Sequence, residues 1–188
     1  MNVLSRKITR RLLDPLVLPA VSRLQIFRKS DTLYVDLDAP PKLPFTDANV
    51  KQNVCGGWVK LEKQSSGLYV DGRKVVLHFD EGQKDHRTIT GYKLKETLAD
   101  RLLVHPNLLD VLLKHPRFVP LDFLEFFGRN KTSHASIVFL GVVFRQKKKE
   151  NFCFVRSLRM IERGKLYSAP LWLGSNVGSQ IPAAIREE

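Results

Sequence analysis

Hydrophobic and polar residues alternate along several stretches of the chain, and this period of two predicts β-strands. Turn signals at Ser65-Ser66-Gly67 and Asp71-Gly72 separate three of these stretches and indicate hairpins. The last third of the chain is rich in β-branched and aromatic residues, which favour strands. The predicted strands and short extended segments lie at 22–27, 32–37, 58–61, 68–70, 74–79, 136–144, 152–158 and 166–173.

Between residues 94 and 114 the period changes to that of a helix, with leucines at every fourth position and then in a dense run. Helices normally stop before a proline, so His105-Pro106 and His115-Pro116 divide this region into two predicted helices, at 93–104 and 107–114. A further apolar stretch at 123–127 closes the helical part. We expect four leucines of the pair to be mostly buried, namely Leu98, Leu102, Leu109 and Leu113.

Three prolines within residues 40–44 predict an extended stretch that cannot lie inside a helix or a sheet. We therefore place the main boundary near residues 38–46. The predicted organisation is a basic N-terminal segment with short strands (1–44), a β-rich block followed by the helical pair (45–127), and a C-terminal antiparallel β region (128–188). The predicted fold class is α+β, with antiparallel sheets and a central helical pair.

Composition narrows the class of protein. The chain of 188 residues is 43% hydrophobic, which is enough to build a core and excludes wholesale disorder. No apolar run approaches the roughly 18 residues of a membrane span, so we expect no transmembrane helix. The two cysteines suit a reducing compartment, and we expect a cytoplasmic protein.

The net charge of +12 is concentrated in two places. Residues 1–30 and residues 144–166 each carry a net +6, which leaves the remainder neutral. Such patches are either solvated surface or a docking site for phosphate backbones or anionic membrane surfaces. The nucleic-acid alternative would use residues 1–30 and 145–149, with contacts from Arg6, Lys7, Arg10, Arg11, Lys147, Lys148 and Lys149. The N-terminal part also fits a short surface helix or an organelle transit peptide, since it is amphipathic and rich in arginine.

No catalytic or metal-binding pattern is recognisable. The five histidines form no close ligand pair, and neither a Gly-x-Ser-x-Gly motif nor a phosphate-binding loop is present. His105 and His115 precede prolines, where a histidine fits a helix-ending residue as well as it fits a ligand. Cys153 fits a strand residue on the face opposite Phe152 and Phe154. Arg156 shares the face of these aromatics, which is either buried, with Arg156 packed and paired, or exposed for binding, and we expect it to be buried. We expect no enzyme, no metal and no cofactor.

From Gly72 to its end, the chain carries a recognisable order of motifs. They read GRKVVLHF, TITGYKLKETL, NLLDVLLKHPRFVP, SIVFLGVVFR, FVRSL, LWLG and IPAAI. This order resembles a family of uncharacterised bacterial proteins with an LLDxLLxHPxxIP helix, a strand with glycine and arginine, a Val-Arg-x-Leu strand, a Trp-Leu pair and a closing Pro-Ala-Ala. Copies of that family differ around the last two motifs in the manner of the target proteins of diversity-generating retroelements, which display variable residues on a C-type-lectin-like scaffold.

The resemblance implies a non-enzymatic ligand-binding or protein-interaction module that presents a variable surface near residues 166–181 to an unknown protein or other ligand. The implied fixed frame is Trp172, Leu173, Pro182 and Ala183. The implied variable positions are Tyr167, Ser168, Ala169, Pro170, Leu171, Ser175, Asn176, Val177, Gln180 and Ile181. The candidate ligand-binding residues are Tyr167, Ser168, Leu171, Ser175, Asn176, Val177, Gln180 and Ile181.

The residue types of this segment also predict its local structure. Proline lacks an amide donor, so the strand that contains Pro170 should lie at a sheet edge or carry a bulge. Residues 182–184 should return as a final short strand. Trp172 is either a core plug or a surface anchor, and burial of its large apolar side chain favours the plug. The side chains of Ser175, Asn176, Val177, Gln180 and Ile181 should point outward.

Overall fold

The computed structural model describes residues 31–85, 87–130, 135–161 and 164–188, and shows a mainly β architecture with three helices. The helices are α1 (Gly91–Thr97), α2 (Pro106–Lys114) and α3 (Leu121–Arg129), with 3-10 turns at Glu81–Gln83 and Pro116–Phe118. The strands are β1 (Asp31–Asp36), β2 (Ala48–Asn53), β3 (Trp58–Gln64), β4 (Gly67–Val70), β5 (Arg73–His78), β6 (Ile89–Thr90), β7 (Leu102–Leu103), β8 (Ser136–Gln146), β9 (Lys149–Met160), β10 (Leu166–Trp172), β11 (Asn176–Val177) and β12 (Ala183–Arg186).

Ten of these strands form one sheet across the described part of the chain, in the order β1-β3-β4-β5-β12-β8-β9-β10. Strand β2 also pairs with β8, and β7 pairs with β12. The strand pairs are antiparallel, apart from the parallel contact of β12 with β8. The predicted α+β class is therefore confirmed at this level. Strands from all three predicted segments meet in this sheet, since β1 pairs with β3 and β12 lies between β5 and β8.

Two predictions about the C-terminal region are confirmed by this order. Strand β10, which contains Pro170, is the last strand of the sheet, where a missing amide donor costs least. The Pro-Ala-Ala motif leads into β12, whose alanines are buried between larger neighbours.

Strand β8 lies at the centre of the core and is buried along residues 136–144. Its continuous apolar run reflects burial on both faces of the sheet. One face packs against α2 and α3, and the other packs against α1 and the segment that ends in β12. Gly141 lets the chain cross close to β8, because a Cβ there would lie 2.9 Å from the backbone of His105 and of Val104.

The predicted helix at 93–104 is too long. Helix α1 ends at Thr97, and Leu102 and Leu103 form strand β7, which pairs with Arg186 and Ile185 of β12. Pairing with the sheet thus overrides the helical spacing of the leucines. Burial of Leu98 and Leu109 is confirmed, whereas Leu102 and Leu113 are only partly buried.

The sequence pattern did not predict strand β2. Its residues after Ala48 are mostly exposed, so it lacks the alternation that marks a half-buried strand. The strand is instead formed by its antiparallel pairing with the end of β8.

The predicted extended segment at 22–27 lies outside the described residues. Within the described ranges, none of the helices has the length and hydrophobicity that a membrane span needs.

Candidate functional site

A groove of about 320 Å³ lies where strand β10, helix α2 and the proline-rich segment meet. The proline-rich segment contributes Lys42, Leu43 and Pro44. Helix α2 contributes Leu113, β9 contributes Arg156, and β10 contributes residues 166–170. We call this surface the β10 groove.

A buried ion pair holds the base of the β10 groove. Arg156 is only 2% exposed, and its Nη1 and Nη2 donate to the two carboxylate oxygens of Asp110 at 2.7 and 2.6 Å. Its Nε donates to the hydroxyl of Ser168 at 3.1 Å. A planar guanidinium matches a carboxylate in this two-bond geometry. The arrangement therefore ties α2, β9 and β10 together, and confirms the prediction that Arg156 is packed and paired.

The proline-rich wall of the groove is fixed at both ends. The side-chain amide of Asn107 donates to the carbonyl oxygens of Asp36 and Ala39, at 2.9 and 3.0 Å. At the other end, the ring of Phe45 packs edge-on against Phe154, with 4.9 Å between centroids. Because proline also restricts its own backbone, this wall is stiff.

His105 lies beside the ion pair and has a structural role that the sequence did not predict. It begins helix α2 instead of ending the preceding helix, and its Nδ1 accepts from the amide of Asn107 at 3.1 Å. The imidazole is buried, and burial together with the nearby charge of Arg156 lowers the pKa of His105 to about 4, against opposing contributions from Asp110 and Asp38. His105 is therefore a neutral capping residue at pH 7.

The hydrogen-bonding pattern between β10 and β9 determines which backbone groups of β10 point to the open edge of the sheet. The amide of Leu173 donates to Cys153 at 2.8 Å, and the amide of Ile161 donates to Lys165 at 3.0 Å. Hydrogen-bonded and non-hydrogen-bonded pairs alternate along an antiparallel ladder. The pairs of Ser168 with Leu158 and of Pro170 with Arg156 therefore fall in non-hydrogen-bonded positions. Ser168 and Pro170 thus direct their backbone groups toward the outer edge of the sheet.

Among the predicted ligand-binding residues, only Tyr167 and Ser168 line the β10 groove. Leu171 is buried. Ser175 and Gln180 lie in loops on either side of β11, Asn176 lies on β11, and all three have part of their surface exposed. The prediction that Val177 and Ile181 point outward is wrong, because both side chains are buried in the core.

The loop that carries Val177 and Ile181 is held against the body of the protein. The side chain of Gln83 donates to the carbonyl oxygens of Gly178 and Ile181 at 2.9 and 3.0 Å. Val177 pairs with Ile89 of β6 in a small two-stranded sheet. These contacts draw the apolar residues of the loop inward, and this explains the wrong orientation.

The plug role predicted for Trp172 is also wrong. Its side chain is 39% exposed and stacks on Phe152, with 5.3 Å between centroids and 17° between planes.

Lys147, Lys148 and Lys149 are exposed, as a solvated hairpin tip or a phosphate contact requires. Arg6, Lys7, Arg10 and Arg11 lie outside the described residues.

One feature of the sequence points to the Arg156–Asp110 pair. Asp110 interrupts an apolar run in the helix at 107–114, and a carboxylate in such a position needs a cationic partner.

Comparisons with protein-family models, curated proteins and solved structures found no match. The resemblance to retroelement target proteins stays a prediction.

Proposed function

We propose that this chain is a non-catalytic protein-interaction module that holds an extended segment of a partner polypeptide in the β10 groove. The observation that carries the proposal is the position of the groove beside an open sheet edge. Ser168 directs its amide and carbonyl groups outward there, and an added strand forms backbone hydrogen bonds with such an edge.

The chemistry of the groove favours an apolar side chain on the ligand. Its polar base is already engaged, since Arg156 bonds both Asp110 and Ser168. Leu43, Leu113 and Leu166 supply apolar surface around that base, and Leu43 is exposed. A ligand therefore gains from burying apolar area and from backbone hydrogen bonds, without an ionic contact to Arg156.

Pro170 limits how far an added strand extends. It offers a carbonyl but no amide at the outer edge, so the ladder loses one donor at this position. Prolines on edge strands protect sheets against unspecific pairing. The proposed contact is therefore short, centred on Ser168, and dependent on the groove for specificity.

The implied display of variable residues on a C-type-lectin-like scaffold remains a separate prediction within this proposal. The β10 groove uses the first part of the segment at 166–181. Ser175, Asn176 and Gln180 are the members of its second part that remain accessible to a partner. Burial of Val177 and Ile181 argues against a display surface that extends over the whole segment.

The proposal is tested with a displayed library of random peptides selected against the full chain, followed by affinity measurements with the enriched peptides. Leu43→Asp places a charge on the apolar wall, and we expect it to weaken binding by roughly tenfold or more, which corresponds to about 1.4 kcal/mol. The matched control is Leu121→Asp, at an exposed leucine of α3 that does not line the groove. It should leave the affinity unchanged.

Two results would contradict the proposal. One is that no peptide is enriched on the folded chain above the background of an unrelated protein. The other is that enriched peptides bind the Leu43→Asp and Leu121→Asp variants equally well, because the contact would then lie elsewhere.

A further inference from the structure

An aromatic pair lies at the surface of the sheet, close to the lysine-rich hairpin. Phe152 of β9 and Trp172 of β10 are 37% and 39% exposed, and their rings stack nearly parallel. Lys149 places its ammonium nitrogen 5.2 Å from the centroid of the Phe152 ring. We call Phe152, Trp172 and the hairpin lysines 147–149 the aromatic platform.

The pair is exposed and yet held in place. Both residues lie on adjacent, paired strands, so the sheet fixes the distance between them. Gly174 leaves room for the indole, because a Cβ there would lie 2.6 Å from Cε2 of Trp172. Lys149 adds a cation–π contact to Phe152. An aromatic side chain that stays exposed in a fixed orientation can stack with another planar group.

The charge of the neighbouring hairpin is strongly positive. Residues 145–150 read Arg-Gln-Lys-Lys-Lys-Glu and carry a net charge of +3. The three lysines are exposed, and the tip is anchored by the amide of Lys147, which donates to the carbonyl of Asp47 at 2.9 Å. The ammonium groups of Lys147 and Lys148 are thus exposed and can attract anions, while that of Lys149 also contacts the Phe152 ring.

We propose that the aromatic platform binds single-stranded nucleic acid, with a base stacked on Trp172 and the phosphate backbone along Lys147, Lys148 and Lys149. Proteins that bind single strands combine these two elements, a positively charged track and aromatic rings on which bases stack. A base in a duplex is already stacked on both sides, so the platform should prefer single strands. The site is distinct from the β10 groove and does not depend on its function.

The experiment measures the anisotropy of a fluorescent oligothymidylate of about 15 nucleotides, a length within the site sizes of single-strand binding proteins. Trp172→Leu keeps the side chain apolar but removes the stacking surface, and we expect the affinity to fall about tenfold. The matched control is Trp58→Leu, since Trp58 is the second tryptophan and is also exposed, on strand β3. It should bind as the unchanged protein does.

The contribution of the lysines is measured by the salt dependence of the affinity. Replacing Lys147, Lys148 and Lys149 by glutamine should reduce the slope of log affinity against log salt by about 2, because each phosphate contact contributes about 0.7 with single strands. In the Trp58→Phe variant, Trp172 is the remaining tryptophan, and its emission should be quenched by the oligonucleotide and recover at high salt. This signal reports directly on stacking.

Several outcomes would overturn the proposal. Equal affinity of the Trp172→Leu and Trp58→Leu variants, or equal affinity for a duplex of the same length, would show phosphate attraction without base stacking. Binding to vesicles that contain phosphatidylserine, without binding to the oligonucleotide, would identify a membrane surface as the partner. Absence of binding to either probe would leave the aromatic pair as a structural contact only.

Discussion

The substitution Asp110→Asn tests the part of the structure on which the β10 groove depends. It preserves the shape of the side chain and removes its charge, which leaves the buried guanidinium of Arg156 without a carboxylate. Breaking a buried pair by removing one partner costs ~3–5 kcal/mol. The side chain of Asp110 is 34% exposed, so water reaches the pair, and we expect a loss of about 3 kcal/mol, at the lower end of that range.

The free energy of unfolding at pH 7 is measured by urea titration and linear extrapolation. The matched control is Glu125→Gln, which breaks a surface ion pair with Arg129 that has a nitrogen–oxygen distance of 3.1 Å. Exposed pairs of this spacing contribute about 0.3–0.5 kcal/mol, so the control should be nearly neutral. If Asp110→Asn and Glu125→Gln had the same effect, the Arg156–Asp110 pair would not hold the groove together.

Three further predictions concern the surroundings of the groove and the core. Because the pKa of His105 is about 4 in the folded chain and ~6.5 in an unfolded one, the unfolded chain binds more protons and stability should fall as the pH drops from about 6.5 to 4. The variant His105→Asn keeps a capping side chain but has no titratable imidazole, so its stability should depend less on pH. Urea titrations at pH 7 and 5 measure this difference, which should be at most about 1.4 kcal/mol per pH unit. Leu109→Ala should cost about 2–5 kcal/mol because Leu109 is fully buried, whereas Leu121→Ala on the surface of α3 should change the thermal midpoint little. Gly141→Ala should destabilise by about 1–3 kcal/mol in thermal unfolding, since its Cβ meets backbone atoms, whereas Gly128→Ala has open space and should be neutral or stabilising.

The strands with clear alternation or a dense apolar run could be predicted from the sequence, because burial of one or both faces leaves a local pattern. This holds for β3, β8 and β9, whose centres match the predicted positions. Strands β2 and β7 could not be predicted, because they are stabilised by pairing with distant strands and their own residues carry no such pattern. The same non-local pairing explains why the helix predicted at 93–104 ends early.

The candidate site was only partly accessible from the sequence. The resemblance predicts Tyr167 and Ser168 as ligand-binding residues, and both line the groove. The contribution of the proline-rich segment was not predicted, because it depends on how Asn107 and Phe45 attach that segment to the sheet. The size of Trp172 predicts burial, but the residue lies on the last strand of the sheet, where it stacks on Phe152 and keeps part of its surface exposed.

Amide exchange at Ser168 tests the proposed interaction with a partner polypeptide most directly. The backbone amide of Ser168 points to the open edge of β10, whereas the odd-numbered residues of the strand bond to β9. We predict that saturation with a selected peptide slows hydrogen exchange at Ser168 and at the amides of Lys42 and Leu43, and leaves exchange on α3 unchanged. A bound peptide that leaves the exchange rate of Ser168 unaltered would contradict strand addition at this edge and, with it, the proposed function of the groove.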